Sequence, residues 1–159
     1  IHGIAHGLGM PTTATMLYGH VETREERIDH LLQLRAQQDR TGGFTAFVPL
    51  AYHPANTALG GHPTTGHDDL RTVAISRLLL DNIPNIKAYW VMLGVNLAQL
   101  AILFGANDLD GTVMEERIGH MAGAASPQAL DEATLRGLIT AVGGTPVRRD
   151  SRHRALDAI

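Results

Sequence analysis

The segment TTATMLYGHVE, residues 12–22, predicts a strand that breaks abruptly into a polar loop. Thr, Met, Leu and Tyr favour a pleated, half-buried strand, and the glycine after them permits a sharp exit. Thr23 and Glu26 follow in the spacing of a capping box, which predicts the start of a helix. The loop with His20 and Glu22 therefore lies between the carboxyl end of a strand and a helix start, where the active sites of α/β proteins collect.

The composition is that of one globular domain: 159 residues, of which 44% are hydrophobic and 18% are charged. A net charge of -3 gives no broad basic field for nucleic acid or anionic lipid, so we expect a small polar partner and neither of those two. The chain has no cysteine, and hence no thiolate for zinc or an iron–sulfur cluster. It begins at Ile1 without a secretion signal, so we expect a cytoplasmic protein and an excised piece of a longer one.

The rest of the chain alternates strands and helices. Apolar residues at helical spacing, with Gly9 at the end, predict the last turns of a first helix. The predicted strands are Thr12–Tyr18, Phe44–Leu50, Ile86–Leu93 and Asp108–Val113. The later helices are predicted to begin at Thr23, at Asp68 or Asp69, at Leu97, at Glu115 and at Asp131, and to end before Gly42, before Pro84, at Gly105, at Met121 and at Val142. Polar residues interrupt the apolar run 88–106, which therefore predicts a buried strand and helix rather than a membrane span.

The order of these elements predicts a parallel sheet. Each connecting helix is long enough for a right-handed crossover, and four strand–helix units make half of an eight-stranded barrel. A flavodoxin-like sheet is the alternative, although it offers no explanation for polar residues within the strands. We expect residues 1–143 to form the half barrel with C-terminal helices, and residues 144–159 to form a basic, solvated and partly disordered tail.

Alternation within the strands assigns a polar set of residues to the face away from the helices. This set is Thr13, Thr15, Thr45, Lys87, Tyr89, Asp108 and Asp110. Ordinary barrel interiors are packed with Val, Ile and Leu, so a polar lining indicates a cavity for a polar ligand. The alternative is that some of these residues pair with one another. We expect Lys87 and Asp110 either to pair or to meet a substrate, because an unpaired buried ammonium is costly.

Two histidines and a carboxylate lie where the first two strands are predicted to end. They are His20, Glu22 and His53, and in a barrel they would point at one mouth. A hydrolase metal site that uses these three with His62 or His67 is a minority hypothesis, because no HExxH or HxH spacing fixes two ligands locally. We therefore predict no metal ligand.

Longer stretches of the chain are similar to one enzyme family. They are TATMLYGHVET, ERIDHLLQLRAQQDRTGGFTAFVPL, DDLRTVAISRLLLDNIPNIKAYWVMLG and FGANDLDGTVMEERIGHMAGA. In this order they closely resemble the C-terminal half of the aminofutalosine synthases, which are radical SAM enzymes of the futalosine route to menaquinone. The dehypoxanthine futalosine cyclases and the deazaflavin cofactor synthase subunit are the nearest relatives of that family. The likeness runs from about Ala5 to Asp150, which makes it more specific than any single short motif.

The resemblance implies the C-terminal half of a (β/α)8 TIM-type radical SAM barrel, with four parallel strands, outer helices and C-terminal helices. In such a barrel a 4Fe-4S cluster cleaves S-adenosylmethionine, and the adenosyl radical adds to the enolpyruvyl double bond of 3-[(1-carboxyvinyl)oxy]benzoate. The cluster cysteines of the superfamily lie early in the barrel and are absent from this chain. We therefore expect the chain to be inactive alone, and to need the missing N-terminal half or a second copy as its partner.

The resemblance also assigns cofactor residues. The superfamily often carries a Gly-x-Ile-x-Gly-x-x-Glu pattern near the adenosine, which Leu17, Gly19 and Glu22 match, with Thr15 in place of the first Gly. In this assignment Gly19 lets the backbone approach the ligand, and Glu22 accepts hydrogen bonds from it.

The substrate of such an enzyme carries carboxylates, which need hydrogen-bond donors. We assign His20, His53 and Asp110 to catalysis, with Asp110 as a candidate to orient a donor, and we assign Lys87 and Tyr89 to substrate binding. The alternative functions are a cyclase-like or deazaflavin synthase-like radical SAM reaction, or a half barrel that binds a ligand without catalysis.

Overall fold

The computed structural model describes residues 1–112, 121, 127 and 129–156 of the chain. Its elements are α1 (His2–Gly7), β1 (Thr12–Tyr18), α2 (Arg24–Thr41), β2 (Phe44–Ala51), α3 (Gly66–Leu79), β3 (Asn85–Ile86), α4 (Trp90–Leu93), α5 (Val95–Leu103) and α6 (Glu132–Ala141). The predicted first helix, first two strands and last helix are confirmed. The helix predicted to run from Glu115 to Met121 lies, apart from its last residue, outside the described residues.

The strands form a parallel sheet in the order β1-β2-β3, which confirms the predicted α/β class. Where a fourth strand was predicted, the described residues contain a single parallel bridge between Lys87 and Asp108. Asp110 then has a positive φ of 73°, which turns the chain out of the extended conformation. The described part of the predicted fourth strand is therefore one bridge, and its predicted end at Val113 lies outside the described residues.

The predicted third strand, Ile86–Leu93, is wrong beyond its first residues. The strand ends at Ile86, and Trp90 begins the short helix α4. Trp90 is fully buried, and its indole N–H donates to the carbonyl of Gly111 at 2.9 Å. Packing of the indole therefore overrides the strand preference of this aromatic and β-branched run. Among the described residues, none of the helices is both long enough and apolar enough to cross a membrane.

Threonine caps fix the starts of α2 and α3. Thr23 accepts a hydrogen bond from the N–H of Glu26 at 3.2 Å, and the Glu26 carboxylate accepts one from the N–H of Thr23 at 2.7 Å, so the predicted capping box is confirmed. Thr65 caps α3 by accepting from the N–H of Asp68 at 3.2 Å. That helix consequently begins at Gly66, and the predicted start at Asp68 or Asp69 is wrong by two or three residues.

One face of the sheet packs on the helices, and the opposite, inner face is exposed along β1, whereas along β2 it is buried or half-buried. The largest fully buried side chains include Trp90, Tyr18, Phe44, Phe47, Leu31, Leu80, Ile83 and Ile86. On β1, Thr13, Thr15 and Leu17 are exposed on the inner face, as alternation predicts.

A bulge corrects the predicted polar lining at β2. The register shifts between Thr12 and Thr13, which leaves Thr45 without a directly paired residue in β1, although its hydroxyl donates to the carbonyl of Thr12 at 3.3 Å. Ala46, Val48 and Leu50 consequently pair with the exposed residues of β1. The inner face of β2 is therefore largely apolar, and the predicted polar lining is wrong there.

Candidate functional site

The loop after β1 is organised by the carboxylate of Glu22. Its Oε1 accepts a hydrogen bond from the N–H of Gly19 at 2.5 Å, and its Oε2 accepts one from the N–H of His20 at 3.0 Å. The Nε–H of Arg27, in the first turns of α2, donates to Oε1 at 2.7 Å. Burial alone would raise the pKa of Glu22, but these hydrogen bonds together outweigh burial and lower it. Glu22 is therefore ionised at neutral pH, and its oxygens are already engaged by the protein.

Gly19 is required where β1 leaves the sheet. Its φ is 91°, a left-handed conformation that other residues rarely adopt. A Cβ at this position would lie 2.1 Å from Cγ2 of Thr64. Because Gly19 has no side chain, the loop between β2 and α3 approaches its backbone closely at Thr64. Leu17, the other predicted cofactor residue of β1, is 47% exposed on the inner face.

The two predicted catalytic histidines lie on neighbouring loops. His20 places Nδ1 3.3 Å from Oε2 of Glu22 and Nε2 3.2 Å from the carbonyl oxygen of Leu17. Its ring meets that of Tyr52 edge-on, with 5.8 Å between centroids. His53, the residue after Tyr52, places Nε2 2.8 Å from the carbonyl oxygen of Met92, so the loop after β2 is joined to α4. The structure therefore brings His20 beside the residue that precedes His53.

A buried Tyr–Asp pair below this loop was missed by the sequence reasoning. The hydroxyl of Tyr18 donates to Oδ1 of Asp69 at 2.8 Å, and the two residues are 0% and 5% exposed. Burial, and secondly the charge of Asp69, raise the pKa of Tyr18. Burial also raises the pKa of Asp69, although hydrogen bonds from Thr64 and Tyr18 oppose it. A signal was present, because Asp69 shares the buried face of α3 with Thr72 and Ser76 at helical spacing.

Arg27 connects the loop after β1 to this buried pair. Its guanidinium carbon lies 5.1 Å from the ring centroid of Tyr18, and its Nη1 donates to Oδ2 of Asp68 at 2.8 Å. Together with its bond to Glu22, these contacts tie the start of α2 to the start of α3.

The predicted pairing of Lys87 with Asp110 is confirmed, since Nζ of Lys87 contacts Oδ1 of Asp110. The Lys87 side chain is 11% exposed. Beside it, Asp108 accepts hydrogen bonds from Nε and Nη2 of Arg149 at 2.6 and 2.9 Å. Burial would raise the pKa of Asp108, but the hydrogen bonds from Arg149 and from the N–H of Asp110 lower it. The prediction of a solvated tail is wrong for Arg149, because its guanidinium neutralises this buried carboxylate.

Of the neighbouring aromatic residues Tyr89 and Trp90, only Trp90 is fully buried in the core. Tyr89 precedes α4 and is partly buried against the hydrophobic core, so its predicted substrate contact stays a prediction.

The predicted site residues thus form two clusters along the carboxyl ends of the strands. One contains Leu17, Gly19, His20 and Glu22 with His53 close by, and the other contains Lys87 and Asp110. Across the part of the chain that the structure describes, no group of three or more His, Cys, Asp or Glu side chains is placed to hold a metal ion, so the metal-site alternative gains no support. Two surface clefts lie against α2, and neither contains a predicted site residue.

Comparison with known proteins agrees with the sequence resemblance. Residues 41–158 match the family described as the CofH/MqnC C-terminal region. The chain belongs to this family.

Two of its relatives are aminodeoxyfutalosine synthases. The enzyme of Thermus thermophilus is 52% identical over 97% of this chain and 43% of its own length. That of Streptomyces coelicolor is 43% identical over 98% of this chain and 43% of its own length. A third relative is the 5-amino-6-(D-ribitylamino)uracil–L-tyrosine 4-hydroxyphenyl transferase of Methanococcoides burtonii, 47% identical over 96% of this chain and 45% of its own length. The chain spans less than half the length of the curated relatives it matches.

Proposed function

We propose that this chain is the substrate-side half of a radical SAM enzyme that joins the 5′-deoxyadenosyl group to 3-[(1-carboxyvinyl)oxy]benzoate in menaquinone biosynthesis. The observation that carries the proposal is the 52% identity with an aminodeoxyfutalosine synthase along almost the whole chain. The fold supports it, because polar groups gather at the carboxyl ends of parallel strands, where barrel enzymes keep their active sites. Further strands would complete the barrel and supply the cluster cysteines, since this chain has none.

S-Adenosylmethionine, bound at the cluster of the complete enzyme, would supply the radical. In this chain the loop of Leu17, Gly19 and Glu22 would hold it. The half-exposed Leu17 side chain offers an apolar surface on the inner face. Because Glu22 already accepts hydrogen bonds from Gly19, His20 and Arg27, it would act on the ligand mainly by fixing the shape of this loop.

The substrate carboxylates would meet the cationic and imidazole groups of the inner face. Lys87 is the single lysine of the chain, and its ammonium is held at the carboxyl end of β3 by Asp110. His20 and His53 would donate or accept protons from the loops after β1 and β2, and Tyr89 would pack on the aromatic ring.

A second candidate is the transfer of a tyrosine-derived hydroxyphenyl group to a ribityl-aminouracil, which the 47% identity with such a transferase favours. A dehypoxanthine futalosine cyclase-like reaction is a third, supported by the family description alone. These candidates differ in substrate and in product mass, so one set of assays separates them.

The test uses the longer protein to which we propose this chain belongs, reconstituted anaerobically with iron and sulfide. Each candidate substrate is offered separately with S-adenosylmethionine, and products are identified by mass spectrometry. We expect the adenosylated benzoate product when the enolpyruvyl substrate is offered. The amount of this product should fall strongly in Lys87→Met. It should be unchanged in Arg24→Met, which removes an exposed charge from α2. Product from the tyrosine and aminouracil pair alone would favour the second candidate. If no 5′-deoxyadenosine forms with any substrate, the remaining hypothesis is a half barrel that binds a ligand without catalysis.

The present chain provides the matching control. Because it has no cysteine, we expect anaerobic reconstitution to give it neither a cluster nor S-adenosylmethionine cleavage. Stoichiometric iron–sulfur absorbance on this chain would contradict the proposal that another part of the enzyme holds the cluster.

A further inference from the structure

The C-terminal segment 148–156 is a folded hairpin. Arg149 and Ala155 form an antiparallel bridge, flanked by a hydrogen bond from the N–H of Leu156 to the carbonyl of Arg148 at 2.7 Å. The carboxylate of Asp150 accepts hydrogen bonds from two backbone N–H groups of the turn, at 2.8 and 2.9 Å. The hairpin therefore presents its side chains in fixed positions, although its composition is that of a solvated basic tail.

Arg149 is the residue that the hairpin delivers to the second cluster. Its guanidinium makes a two-bonded fork with Asp108 at 2.6 and 2.9 Å, and its Nη2 lies 3.5 Å from Oδ1 of Asp110. Lys87 contacts the same oxygen of Asp110. Two carboxylates and two cations thus share one site, and the Asp108 side chain is only 7% exposed.

His153 lies on the same hairpin but does not supply the compensating charge. Its Nε2 is 3.3 Å from Oδ2 of Asp108, yet neither ring nitrogen makes a hydrogen bond within the described residues. Burial and the nearby Arg149 lower the pKa of His153, so its ring is neutral at physiological pH. Arg149 is therefore the permanent cation that Asp108 requires.

We propose that Arg149 is a positioning residue for Lys87. By neutralising Asp108 through a bidentate pair, it leaves Lys87 on Asp110, at the carboxyl end of β3, where the ammonium can meet a carboxylate of the substrate. Without Arg149, the buried Asp108 draws Lys87 to itself, because Lys87 is bridged to Asp108 through the backbone, its charge already acts on that carboxylate, and an unpaired buried carboxylate is costly. The carboxylate-binding role of Lys87 rests on the proposed function, whereas its placement by Arg149 does not.

The experiment measures Lys87 directly, by the rate at which acetic anhydride modifies it in the full-length protein, read from the Lys87 peptide by mass spectrometry over a range of alkaline pH. In Arg149→Met, we expect labelling to slow by about tenfold, because the Lys87 ammonium is then held by the unpaired Asp108 carboxylate, and a tenfold change is of the order expected for one coupled pair. Arg149→Lys should recover part of the rate, and Arg152→Met, which removes an exposed charge from the same hairpin, should leave it unchanged. Equal labelling in Arg149→Met and the wild type would overturn the proposal.

The double variant Asp108→Asn with Arg149→Met keeps the test valid if the single variant folds poorly, because it leaves no buried unpaired carboxylate. It should restore labelling of Lys87 to within about twofold of the wild type, since coupled residues give non-additive effects. A double variant as slow as Arg149→Met would show that Arg149 does not act through Asp108.

Kinetics separate this inference from the proposed function. In Arg149→Met we expect a raised KM for the carboxylate substrate and an unchanged KM for S-adenosylmethionine. If the wild-type enzyme makes no product, the proposed function fails, while the labelling of Lys87 still decides the role of Arg149.

Discussion

Glu22 organises the loop after β1 with a single carboxylate. Its oxygens accept hydrogen bonds from the N–H groups of Gly19 and His20, and from Nε of Arg27. In the full-length enzyme we expect Glu22→Ala to raise the Kd of S-adenosylmethionine by about tenfold to a hundredfold, because leaving such donors unsatisfied costs about 1 to 3 kcal/mol. Isothermal calorimetry measures the change. Glu25→Ala, in the first turn of α2, is the control, and an equal Kd in the two variants would contradict the prediction.

Gly19 and Gly9 separate backbone strain from crowding. Both have a positive φ, 91° and 73°, but only Gly19 is crowded, since a Cβ there would lie 2.1 Å from Thr64 Cγ2 and a Cβ at Gly9 would have no atom within 4 Å. We expect Gly9→Ala to lower the free energy of unfolding by about 1 kcal/mol, and Gly19→Ala to lower it by about 2 kcal/mol more. Urea denaturation measures both.

A second substitution, at Thr64, tests whether its Cγ2 atom causes the crowding in Gly19→Ala. Thr64→Ser keeps the hydroxyl that bonds Asp69 and removes Cγ2. Combined with Gly19→Ala, it should bring the loss close to that of Gly9→Ala. A double variant as unstable as Gly19→Ala alone would place the strain in the backbone.

The lowered pKa of Asp108 predicts that the stability of the folded chain depends on pH. The pKa of Asp108 is lowered in the folded chain from the ordinary 3.8, because the hydrogen bonds from Arg149 and from the N–H of Asp110, with the charge of Arg149, together outweigh burial. A carboxylate with a lowered folded pKa contributes stability that is present above its unfolded pKa and is lost as the pH falls through its folded pKa. The difference in free energy of unfolding between the wild type and Asp108→Asn should therefore be largest at neutral pH and shrink below about pH 4.

Guanidinium chloride titrations of the wild type and Asp108→Asn at neutral and acidic pH measure this difference. In an Arg149→Met background the shrinkage should be much smaller, because the cation that lowers the pKa of Asp108 is gone. A difference that is the same at both pH values in the wild-type background would contradict the assignment of the pair.

At the scale of the elements, the capping box of α2 is worth a direct measurement. Thr23 and Glu26 satisfy each other's backbone N–H groups. We expect Thr23→Ala to lower the free energy of unfolding by about 0.5 to 2 kcal/mol, as at other helix caps. Glu25→Ala, in the same turn but outside the capping box, should cost less, and a larger loss in Glu25→Ala would show that the helix dipole outweighs the cap.

The elements predicted correctly are those specified by neighbouring residues. The cap of α2 and the alternation of β1 are encoded within a few positions, and both were predictable. The predicted third strand fails because the Trp90 indole bonds to Gly111, which is 21 residues away in the chain. Local pattern does not contain that partner.

In the candidate site, too, contacts between sequence neighbours were predictable and most contacts between distant residues were not. The turn of Gly19, His20 and Glu22 was predictable because it is local. The Tyr18–Asp69 pair and the Arg149–Asp108 pair join residues 51 and 41 positions apart, and neither was predicted. The Lys87–Asp110 pair was one of the two predicted outcomes despite its separation, because strand parity and the cost of a buried charge left either a pair or a substrate contact.

For the whole molecule, the exposed inner face of β1 is the feature that favours a partner. On β1 this face carries Thr13, Thr15 and Leu17, all exposed. Within the described residues, β1 pairs only with β2, so its other edge is open, and open strand edges favour association with another chain. A complementary half barrel or a second copy of the chain would cover both the face and the edge, and we propose that one of them does.

The last prediction tests this proposal. We expect size-exclusion chromatography with light scattering to give either a mass above that of one chain, or one chain together with a companion polypeptide that intact-mass measurement identifies. Leu17→Glu places a charge on the exposed inner face of β1 and should shift the assembly toward single chains, because a buried unpaired charge is costly. Leu78→Glu, at a 77% exposed position on the helix side, should leave the assembly unchanged. A monodisperse single chain without a companion would count against the half barrel and favour a sheet that is closed within this chain, as in the flavodoxin-like alternative.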